Sequence, residues 1–332
     1  MSEVLPTTHR VWAWREKGEP QTLRSELRPL PEPGPDDVLV ANRTIGLNPV
    51  DWKMIAWGNP AWTPGRVPGV DGVGVIVSVG RNVRLPVGLR VAYHQSLARD
   101  GSFAEFTLAD ARGIIPIPDS VDNVTAAALP CPALTAWQAL EKVPPCDDSR
   151  DILVVGAGGA VGLFLSQLAL RRRWRVWVTA SPAHNQRLLS LGVSGVFDYC
   201  TDDWRKRLQN MLGPRKLHAV FDTVSGRHAS SLASMIGYNG HLICIQDRID
   251  ENPLAPFTTA ISLHEVALNS IYMYAAEEDW RDWRDAGASL FDMCSRENLE
   301  IPVIETFEFS VLPTALSRIK NKLNSGKSVV CL

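Results

Sequence analysis

The chain has 332 residues, 45% of them hydrophobic, and its 34 basic and 36 acidic residues give a formal charge of −2. This length suits two domains with separate cores, and the balanced charge argues against a nucleic-acid partner. The six cysteines are scattered, which predicts no disulfide framework, and no apolar stretch suits a membrane span or a signal peptide, so we expect a cytoplasmic setting and no membrane partner.

The first third of the chain predicts a partly β domain, because short apolar runs alternate with turns rich in proline and glycine. The runs predict strands at 11–14, 38–44, 72–79, 89–93 and 103–108. Two alanine-rich segments then predict helices at 124–129 and 134–141. We place a domain boundary next to residue 123, before these helices.

A glycine-rich stretch follows. The apolar run 152–155 leads into four glycines, Gly156, Gly158, Gly159 and Gly162, and then into apolar residues at helical spacing. Glycine lets the backbone approach a pyrophosphate, and a helix that begins there presents N–H groups and the positive end of its dipole. Because any close strand–helix packing also uses glycine, the dinucleotide interpretation depends on the context of this stretch.

That context is an alternation of strands and helices, which is typical of a doubly wound parallel sheet. Strands are expected at 175–180, 195–199, 217–223, 241–245 and 264–274, with helices at 185–191, 204–212 and 226–235. The tail predicts helix 280–294, strand 303–309, helix 312–323 and strand 328–332. The fold class is therefore α/β, with a dinucleotide-binding Rossmann sheet in the centre of the chain.

The end of the second central strand indicates which dinucleotide binds. An NAD site places an acidic residue about 20 residues beyond the glycines to bind the ribose 2′-hydroxyl. Here the segment 178–181 contains no acid, and its small hydroxylated residues leave room for a 2′-phosphate. Arg187 and His184 are possible cationic partners, although a plain surface position on the next helix is the more ordinary interpretation of each. We therefore expect NADPH as the cofactor.

Several stretches, in the same order along the chain, resemble the medium-chain dehydrogenase/reductase superfamily, and specifically its zinc-independent quinone oxidoreductase and enoyl reductase branch. They are 47–53 (LNPVDWK), 68–74 (PGVDGVG), 101–105 (GSFAE), 129–137 (LPCPALTAW), the glycine stretch with 167–169 (QLA), and 326–330 (GKSVV). The resemblance implies a GroES-like catalytic domain made of residues 1–122 and 275–332, with an NADP-binding Rossmann domain, 123–274, inserted into it.

The resemblance also implies that no catalytic zinc is present. Zinc-dependent relatives carry a Cys where this chain has Asn48, a His where it has Val70, and a Cys at Cys131. A catalytic zinc needs about three protein ligands, so one thiolate is not enough. Cys131 is then expected to be a small buried residue, and His94 to line a cleft or lie at the surface.

Three candidate catalytic residues follow from the resemblance: Asn48, Lys53 and Thr135. Each has another interpretation, because Asn48 could cap the next helix, Lys53 could pair with Asp51 or lie in solvent, and Thr135 could bond its own helix. A tyrosine acid near Lys53 is not expected, since residues 54–57 contain none. The tryptophans of this region, Trp52, Trp57 and Trp62, could line a site for a flat apolar acceptor.

The expected cofactor contacts lie in the Rossmann domain. The turn is Gly156, Ala157, Gly158, Gly159, Ala160, Val161 and Gly162, and the further contacts are Thr179, Ser181, Arg187, Tyr199, Thr223 and Ile245. Ser181 is expected beside the 2′-phosphate. Tyr199 resembles a tyrosine that packs at the adenosine phosphate in this branch, or else is a strand-end aromatic.

The function implied is a zinc-independent, NADPH-dependent oxidoreductase that transfers hydride to a quinone or to an α,β-unsaturated carbonyl compound. Two alternatives stay open at this point: a zinc alcohol dehydrogenase, and a non-catalytic NADPH-binding redox sensor. The partner is expected to be an apolar small-molecule substrate. The strand expected at 264–274 could also pair two copies edge to edge in a homodimer.

Overall fold

The computed structural model describes residues 4–146, 149–296, 299–324 and 326–332. The described chain forms two compact units. The split unit consists of the residues up to Cys131 together with those from Asn269 onward, and the continuous unit is Pro132–Leu268. Each unit has its own sheet, as the alternation of predicted elements indicates.

The split unit begins with seven strands and two helices; the first two strands pair with each other, and the other five belong to a larger, mostly antiparallel sheet. In chain order they are β1 (Thr8–Ala13), β2 (Arg24–Pro29), β3 (Asp37–Gly46), α1 (Pro49–Trp57), β4 (Asp71–Val79), β5 (Arg90–His94), β6 (Phe106–Asp110), β7 (Ile114–Pro116) and α2 (Asn123–Ala127). Helix α1 begins where Pro49 sets a helical φ in the first turn, and it ends before Gly58, whose φ is +76°. Helix α3 (Pro130–Glu141) then runs across the division between the units.

The continuous unit is a six-stranded parallel sheet with the order β10-β9-β8-β11-β12-β13. Its elements are β8 (Asp151–Val155), α4 (Ala160–Arg171), β9 (Arg175–Thr179), α5 (Asn185–Ser190), β10 (Gly195–Phe197), α6 (Trp204–Leu212), β11 (Leu217–Asp222), α7 (Arg227–Ser230), β12 (Ile236–Cys244) and β13 (Ser262–Glu265). Strand β8 is buried along its whole length, as its continuous apolar run predicts for a parallel sheet covered on both faces. The α/β fold expected from the sequence is confirmed.

The chain then returns to the split unit through α8 (Ile271–Tyr274), α9 (Glu277–Arg296), β14 (Ile304–Glu308), α10 (Leu312–Lys320) and β15 (Lys327–Cys331). Its large sheet has the order β14-β15-β3-β4-β5-β7, with β6 also paired to β3. Strand β15 therefore lies between β14 and β3, in the interior of the sheet. Within the described residues, no helix has both the length and the apolar character needed to cross a bilayer.

The prediction of a single strand at 264–274 is wrong. Only β13 pairs with the sheet, and the chain then turns into a short helix, α8. The Asn269 side chain accepts from the Leu97 N–H at 3.0 Å and donates to the Gln95 carbonyl at 2.8 Å, and the Tyr272 hydroxyl donates to the His94 carbonyl. These bonds attach the segment to the split unit, so tertiary contacts override its apolar, strand-like composition.

The division between the units differs from the expected boundaries at 123 and 274, because residues 123–131 and 269–274 belong to the split unit. Helix α2 packs on β3: the Thr44 hydroxyl donates to the Asn123 carbonyl at 2.8 Å, and a Cβ at Gly46 would lie 2.1 Å from the Ala127 carbonyl oxygen. The roles expected for the two domains, catalytic and NADP-binding, stay predictions.

Candidate functional site

The glycine turn, residues 156–162, leaves β8 in a tight backbone bend that is held by the end of β9. The N–H of Gly156 donates to the carbonyl of Thr179 and also to its hydroxyl oxygen, each at 3.1 Å. Gly156 has a φ of +77°, and a Cβ there would lie 2.3 Å from the hydroxyl oxygen of Thr223. This position therefore requires glycine for both its backbone conformation and its surroundings.

Helix α4 begins at the turn without a side-chain cap. Gly159 is the N-cap residue, and the first helical turn contains no acidic residue. The N–H groups of Ala160, Val161 and Gly162 have no carbonyl partner within the helix, as at any helix start. A Cβ at Gly162 would lie 2.5 Å from the Gly156 carbonyl oxygen, so glycine keeps the helix close to the turn. Open amides and the helix dipole together suit a pyrophosphate.

The ends of β11 and β12 are tied together beside this turn. The Thr223 hydroxyl donates to the last carbonyl of β8 at 2.9 Å. Ser225 has a φ of +65°, and its hydroxyl donates to the Asp222 carbonyl and accepts from the N–H of Ile245 at 3.0 Å and of the following residue at 3.1 Å. Ser225 thus organises the edge of the sheet where the ligands of parallel sheets bind.

The end of β9 carries the side chains expected near a ribose. Ser181 is partly exposed and makes no helix-cap hydrogen bond, and Arg187 lies on α5. The ring of His184 packs over the turn, since a Cβ at Gly158 would lie 2.4 Å from His184 Cδ2. Tyr199 follows β10 and is 53% exposed. The segment 178–187 contains no carboxylate that would repel a 2′-phosphate.

A buried polar group lies in the split unit, and we call it the Asp71 cluster: Asn48, Asp71, His94 and Lys327. Asp71 and His94 are cross-strand neighbours in β4 and β5, and His94 Nδ1 is 2.8 Å from Asp71 Oδ1. The Asn48 amide donates to Asp71 Oδ2 at 2.7 Å and accepts from Lys327 Nζ, which lies 3.7 Å from Asp71 Oδ2. Lys327 therefore compensates a buried carboxylate, and His94 is buried and not at the surface.

Asp51 lies beside this cluster at the start of α1. Its carboxylate accepts from the backbone N–H of Asn48 at 2.7 Å and of Val70 at 3.2 Å. Burial raises the pKa of Asp51 to about 7, with repulsion by Asp71 as a lesser cause. Asp51 thus fixes the backbone around Asn48 while holding a proton over much of the acidic pH range.

Lys53 lies on the same helix, between two indole rings. Its Nζ is 5.9 Å from the centroids of both Trp52 and Trp57, which meet edge to face at 6.1 Å. Burial lowers the pKa of Lys53. Trp62, expected in the same wall, packs instead in the core against Trp14 at 5.4 Å. Two of the three tryptophans therefore flank the lysine.

Comparison with known proteins agrees with this arrangement. Residues 34–119 match the alcohol dehydrogenase GroES-like domain family, and residues 160–289 match the zinc-binding dehydrogenase family. The trans-enoyl reductase tndF of Aspergillus flavipes is 30% identical over 336 positions, which cover 92% of this chain and 94% of that protein. The chain belongs to the medium-chain dehydrogenase/reductase superfamily. It is an oxidoreductase, and the superfamily implies a nicotinamide cofactor.

One further relative supports the same family for this medium-chain dehydrogenase/reductase, and one solved structure supports its fold. The chloroplast envelope quinone oxidoreductase homolog of Arabidopsis thaliana is 31% identical over 242 positions, covering 70% of this chain and 72% of that protein. The solved structure of a Pseudomonas syringae quinone oxidoreductase has a TM-score of 0.84 at 23% identity, covering 98% of this chain and all of the other. At that identity, the structure supports the fold alone.

Zinc binding occurs in this superfamily, and one group of side chains in the split unit brings possible metal ligands together. Ligand atoms of Asp71, His94 and Cys131 lie within 4.8 Å of one another, a grouping that the sequence comparison of Asn48, Val70 and Cys131 missed. The carboxylate is already engaged, since Asp71 Oδ2 accepts from the Asn48 amide and from the Cys131 N–H at 3.0 Å. With the Lys327 ammonium also adjacent, these side chains do not fit a divalent cation without rearrangement.

The structure places the predicted site residues in two groups. Asn48 and Lys53 lie at and on α1 in the split unit, whereas Thr135 is buried in α3 within the continuous unit. The cofactor candidates all lie in the continuous unit: at the turn and the start of α4, at or just beyond the strand ends and, for Arg187, on α5. Sequence reasoning did not predict the hydrogen bonds made by Ser225 and Lys327. Lys327 stood in a recognised motif, but its role depends on contacts with distant residues.

Proposed function

We propose that this protein is a metal-independent, NADPH-dependent reductase of activated acceptors, namely α,β-unsaturated carbonyl compounds or quinones. The full-length similarity to a trans-enoyl reductase favours an enoyl carbonyl, and the similarity to a quinone oxidoreductase homolog keeps quinones in the proposal. Both acceptor types take hydride without a strong Lewis acid, because conjugation delocalises the charge that develops.

The Asp71 cluster is the observation that carries this proposal. An alcohol dehydrogenase that uses zinc needs thiolate, imidazole or carboxylate ligands free to bind the ion. Here an amide, Asn48, stands at one of the expected ligand positions and shares a hydrogen-bond network with Asp71 and Lys327. An ammonium on a lysine side chain thus supplies the positive charge at this place. A metal-free route then requires an acceptor that is already activated.

Three polar side chains and two indole rings have roles in the proposed reaction. A reduced nicotinamide, when bound, supplies the hydride to the carbon β to the carbonyl. Lys53 would then hold the oxygen on which negative charge develops, since its ammonium is partly buried beside two aromatic rings. Asn48, whose buried amide bonds Asp71 and Lys327, would act by fixing the backbone at the start of α1, and Thr135 would position the reacting pair. The Trp52 and Trp57 rings offer the apolar surface for the acceptor.

The preference for NADPH rests on the end of β9. The segment from Thr179 to Ser181 carries hydroxyls and no acid, and His184 and Arg187 follow on the next turn and helix. Such hydroxyls and cations stabilise the bound 2′-phosphate of NADPH. The ribose 2′-hydroxyl of NADH, by contrast, finds no carboxylate of the kind that usually binds it. The turn and α4 would hold the pyrophosphate, as proposed for Gly156, Ala157, Gly158, Gly159, Ala160, Val161 and Gly162, with Thr223, Ile245 and Tyr199 at the neighbouring strand ends.

A second candidate, a zinc-dependent dehydrogenase, is favoured by one observation, the grouping of Asp71, His94 and Cys131. It would require Lys327 to move away from Asp71 when metal binds. Stoichiometric zinc that is lost in Cys131→Ser, together with alcohol oxidation by the loaded protein, would establish this second function and contradict the proposal.

The test of the proposed function is a binding titration with NADPH and NADH, followed by turnover assays with enones, enoyl thioesters and quinones. We expect tighter binding of NADPH and metal-independent turnover of at least one acceptor class. Lys53→Met should reduce kcat by roughly 100-fold, the usual loss for an oxyanion donor, with little change in NADPH affinity. Lys206→Met, at an exposed position of α6, is the matched control. Preference for NADH, or full activity of Lys53→Met, would contradict the proposed roles.

A further inference from the structure

The loop that follows β11 has a strained backbone. It consists of residues 223–226, and we call it the β11 loop. Ser225 and Gly226 have φ values of +65° and +57° in succession. A positive φ costs free energy at a residue with a Cβ, so the contacts around the buried Ser225 must offset this cost. The shape of the β11 loop therefore depends on the groups that bond to it.

The carboxylate of Asp222 and the ring of His228 hold the two ends of this loop. Asp222, the last residue of β11, is fully buried, and its Oδ1 accepts from the Val224 N–H at 2.8 Å. Its Oδ2 lies 2.8 Å from Nδ1 of His228, on α7. A carboxylate only accepts hydrogen bonds, so the ring donates from Nδ1. The two side chains thus close the loop across its ends and also satisfy a buried charge.

The shape of the β11 loop sets the position of two expected cofactor contacts, Thr223 and Ile245. The Thr223 hydroxyl donates to the last carbonyl of β8 at 2.9 Å, and its oxygen fills the space in which a Cβ of Gly156 would lie. The Ile245 N–H donates to the Asp222 carbonyl and to the Ser225 hydroxyl oxygen, each at 3.0 Å. The β11 loop therefore connects the glycine turn to the end of β12.

We propose that His228 is a positioning residue for the dinucleotide cofactor. By donating to Asp222, it holds the β11 loop in the shape that places Thr223 and Ile245 at the edge of the sheet where the ligands of parallel sheets bind. The imidazole is itself not among the expected cofactor contacts, and it acts through the carboxylate. This role rests on the proposed function, because it concerns the same cofactor site.

A positioning role makes a stricter demand on the side chain of His228 than the neutralisation of a buried charge does. A polar group anywhere near Asp222 would lessen the cost of burying its carboxylate, but the loop keeps its shape only if the donor stands at the right distance from the α7 backbone. In histidine, Nδ1 is two bonds from Cβ. The amide nitrogen of Asn is also two bonds from Cβ, whereas that of Gln is three. His228→Asn therefore keeps the donor in place, and His228→Gln moves it.

The first test is a fluorescence titration of the full-length protein and its variants with NADPH. We expect His228→Gln to weaken binding at least about tenfold, the loss typical of a missing hydrogen bond to a charged group. His228→Asn should bind NADPH with nearly the affinity of the unmodified protein. His218→Gln is the matched control, because it is the same substitution near the amino end of β11, opposite the β11 loop, and it should leave the affinity unchanged.

The second measurement, amide hydrogen exchange, needs no cofactor. In His228→Gln the amides of Val224 and Ile245 should exchange at least about tenfold faster than in the unmodified protein, because the β11 loop opens locally when this hydrogen bond is lost. The amides of β8 should keep their protection, which shows that the sheet remains folded. NADPH added to the unmodified protein should slow exchange at both amides, and this readout does not depend on any variant.

Unchanged NADPH affinity in His228→Gln would overturn the positioning role, and so would failure of His228→Asn to restore binding or an equal loss in His218→Gln. Exchange at Val224 and Ile245 that NADPH does not slow would also overturn it. These results leave the proposed reductase standing, provided that the unmodified protein binds NADPH. If that protein bound neither NADPH nor NADH, the proposed function would fail together with the role of His228.

Discussion

The Asp71 cluster and the glycine turn are built in opposite ways. The turn is made of neighbouring residues whose backbone groups bond to one another, and it works because side chains are missing. The Asp71 cluster joins side chains from distant parts of the chain, such as Asn48 and Lys327, which are 279 residues apart, and it works because charges compensate. A turn built from neighbouring backbone groups can therefore be predicted from the sequence, whereas a network of compensating charges can be seen only in the folded structure.

The largest effect expected is that of removing the ammonium from the cluster. Lys327→Met leaves the Asp71 carboxylate buried without a counter-charge, which should lower the free energy of unfolding by about 3–5 kcal/mol. Lys320→Met, which breaks an exposed ion pair with Glu19, should cost less than about 1 kcal/mol. Urea denaturation of both variants measures the difference.

An added Asp71→Asn substitution should recover part of the stability lost in Lys327→Met, because the buried charge is then removed as well. If Lys327→Met and Lys320→Met lowered the free energy of unfolding equally, Lys327 would not be the group that compensates the charge of Asp71. The Asp71 cluster would then not depend on charge compensation, and the contrast with the glycine turn would not hold.

The next effect is the dependence of stability on pH. The pKa of Asp51 is about 7 in the fold against 3.8 as its ordinary value, so between these pH values the folded protein holds a proton that the unfolded chain releases. The free energy of unfolding should therefore fall as pH rises through this interval, by an amount on the order of a few kcal/mol. Urea midpoints measured across the interval test this.

Asp51→Asn should flatten that decline, because the amide stays neutral at every pH. Asp119→Asn is the matched control at a fully exposed position, and it should keep the slope of the unmodified protein. If Asp51→Asn kept the full slope, the titrating group would have to be sought elsewhere.

A substitution in the glycine turn should lower the affinity for NADPH. Gly156→Ala places a Cβ against the Thr223 hydroxyl and should weaken NADPH binding by at least about tenfold, or about 1.4 kcal/mol. Gly192→Ala has the same backbone strain, with a φ of +94°, but no atom near its Cβ, so its NADPH affinity should stay unchanged. Fluorescence titration with NADPH distinguishes them, and equal affinities would remove the glycine turn from the proposed site.

The smallest effect is expected from charge at the ribose. Ser181→Asp should weaken NADPH binding by about three- to tenfold and narrow the preference over NADH, through repulsion of the 2′-phosphate across a partly exposed site. Ser190→Asp, at the far end of α5, introduces the same charge at a distance. An identical response of both variants would show that Ser181 does not lie at the 2′-phosphate.

The parts of the fold that sequence predicted are those with a local cause. The apolar run of β8, the glycines after it and helix α6 lie where their patterns indicate, with α6 bounded by Trp204 and Leu212 as expected. Strand β2 was missed, because its polar, alternating residues carry little apolar signal. The segment after Glu265 has a strand-like composition, and its bonds to Leu97 and to the carbonyls of Gln95 and His94 divert it.

The residues of the candidate site also differ in how far the sequence predicts them. Residues of the turn and the strand ends were recoverable from spacing, since parallel strands place their ligands at one edge. Lys327 and the burial of His94 were not recoverable, because no spacing relates them to Asp71.

The position of β15 between β14 and β3 affects how the protein is made. The ribosome completes the continuous unit as one uninterrupted segment, but the split unit cannot close its sheet until β15 emerges. At about 5–20 residues per second, the 279 residues between Asn48 and Lys327 take roughly 15–55 seconds to synthesise. During that time β3 presents an open edge and Asp71 lacks its counter-charge, so the nascent chain is exposed to misassembly that the finished enzyme never meets.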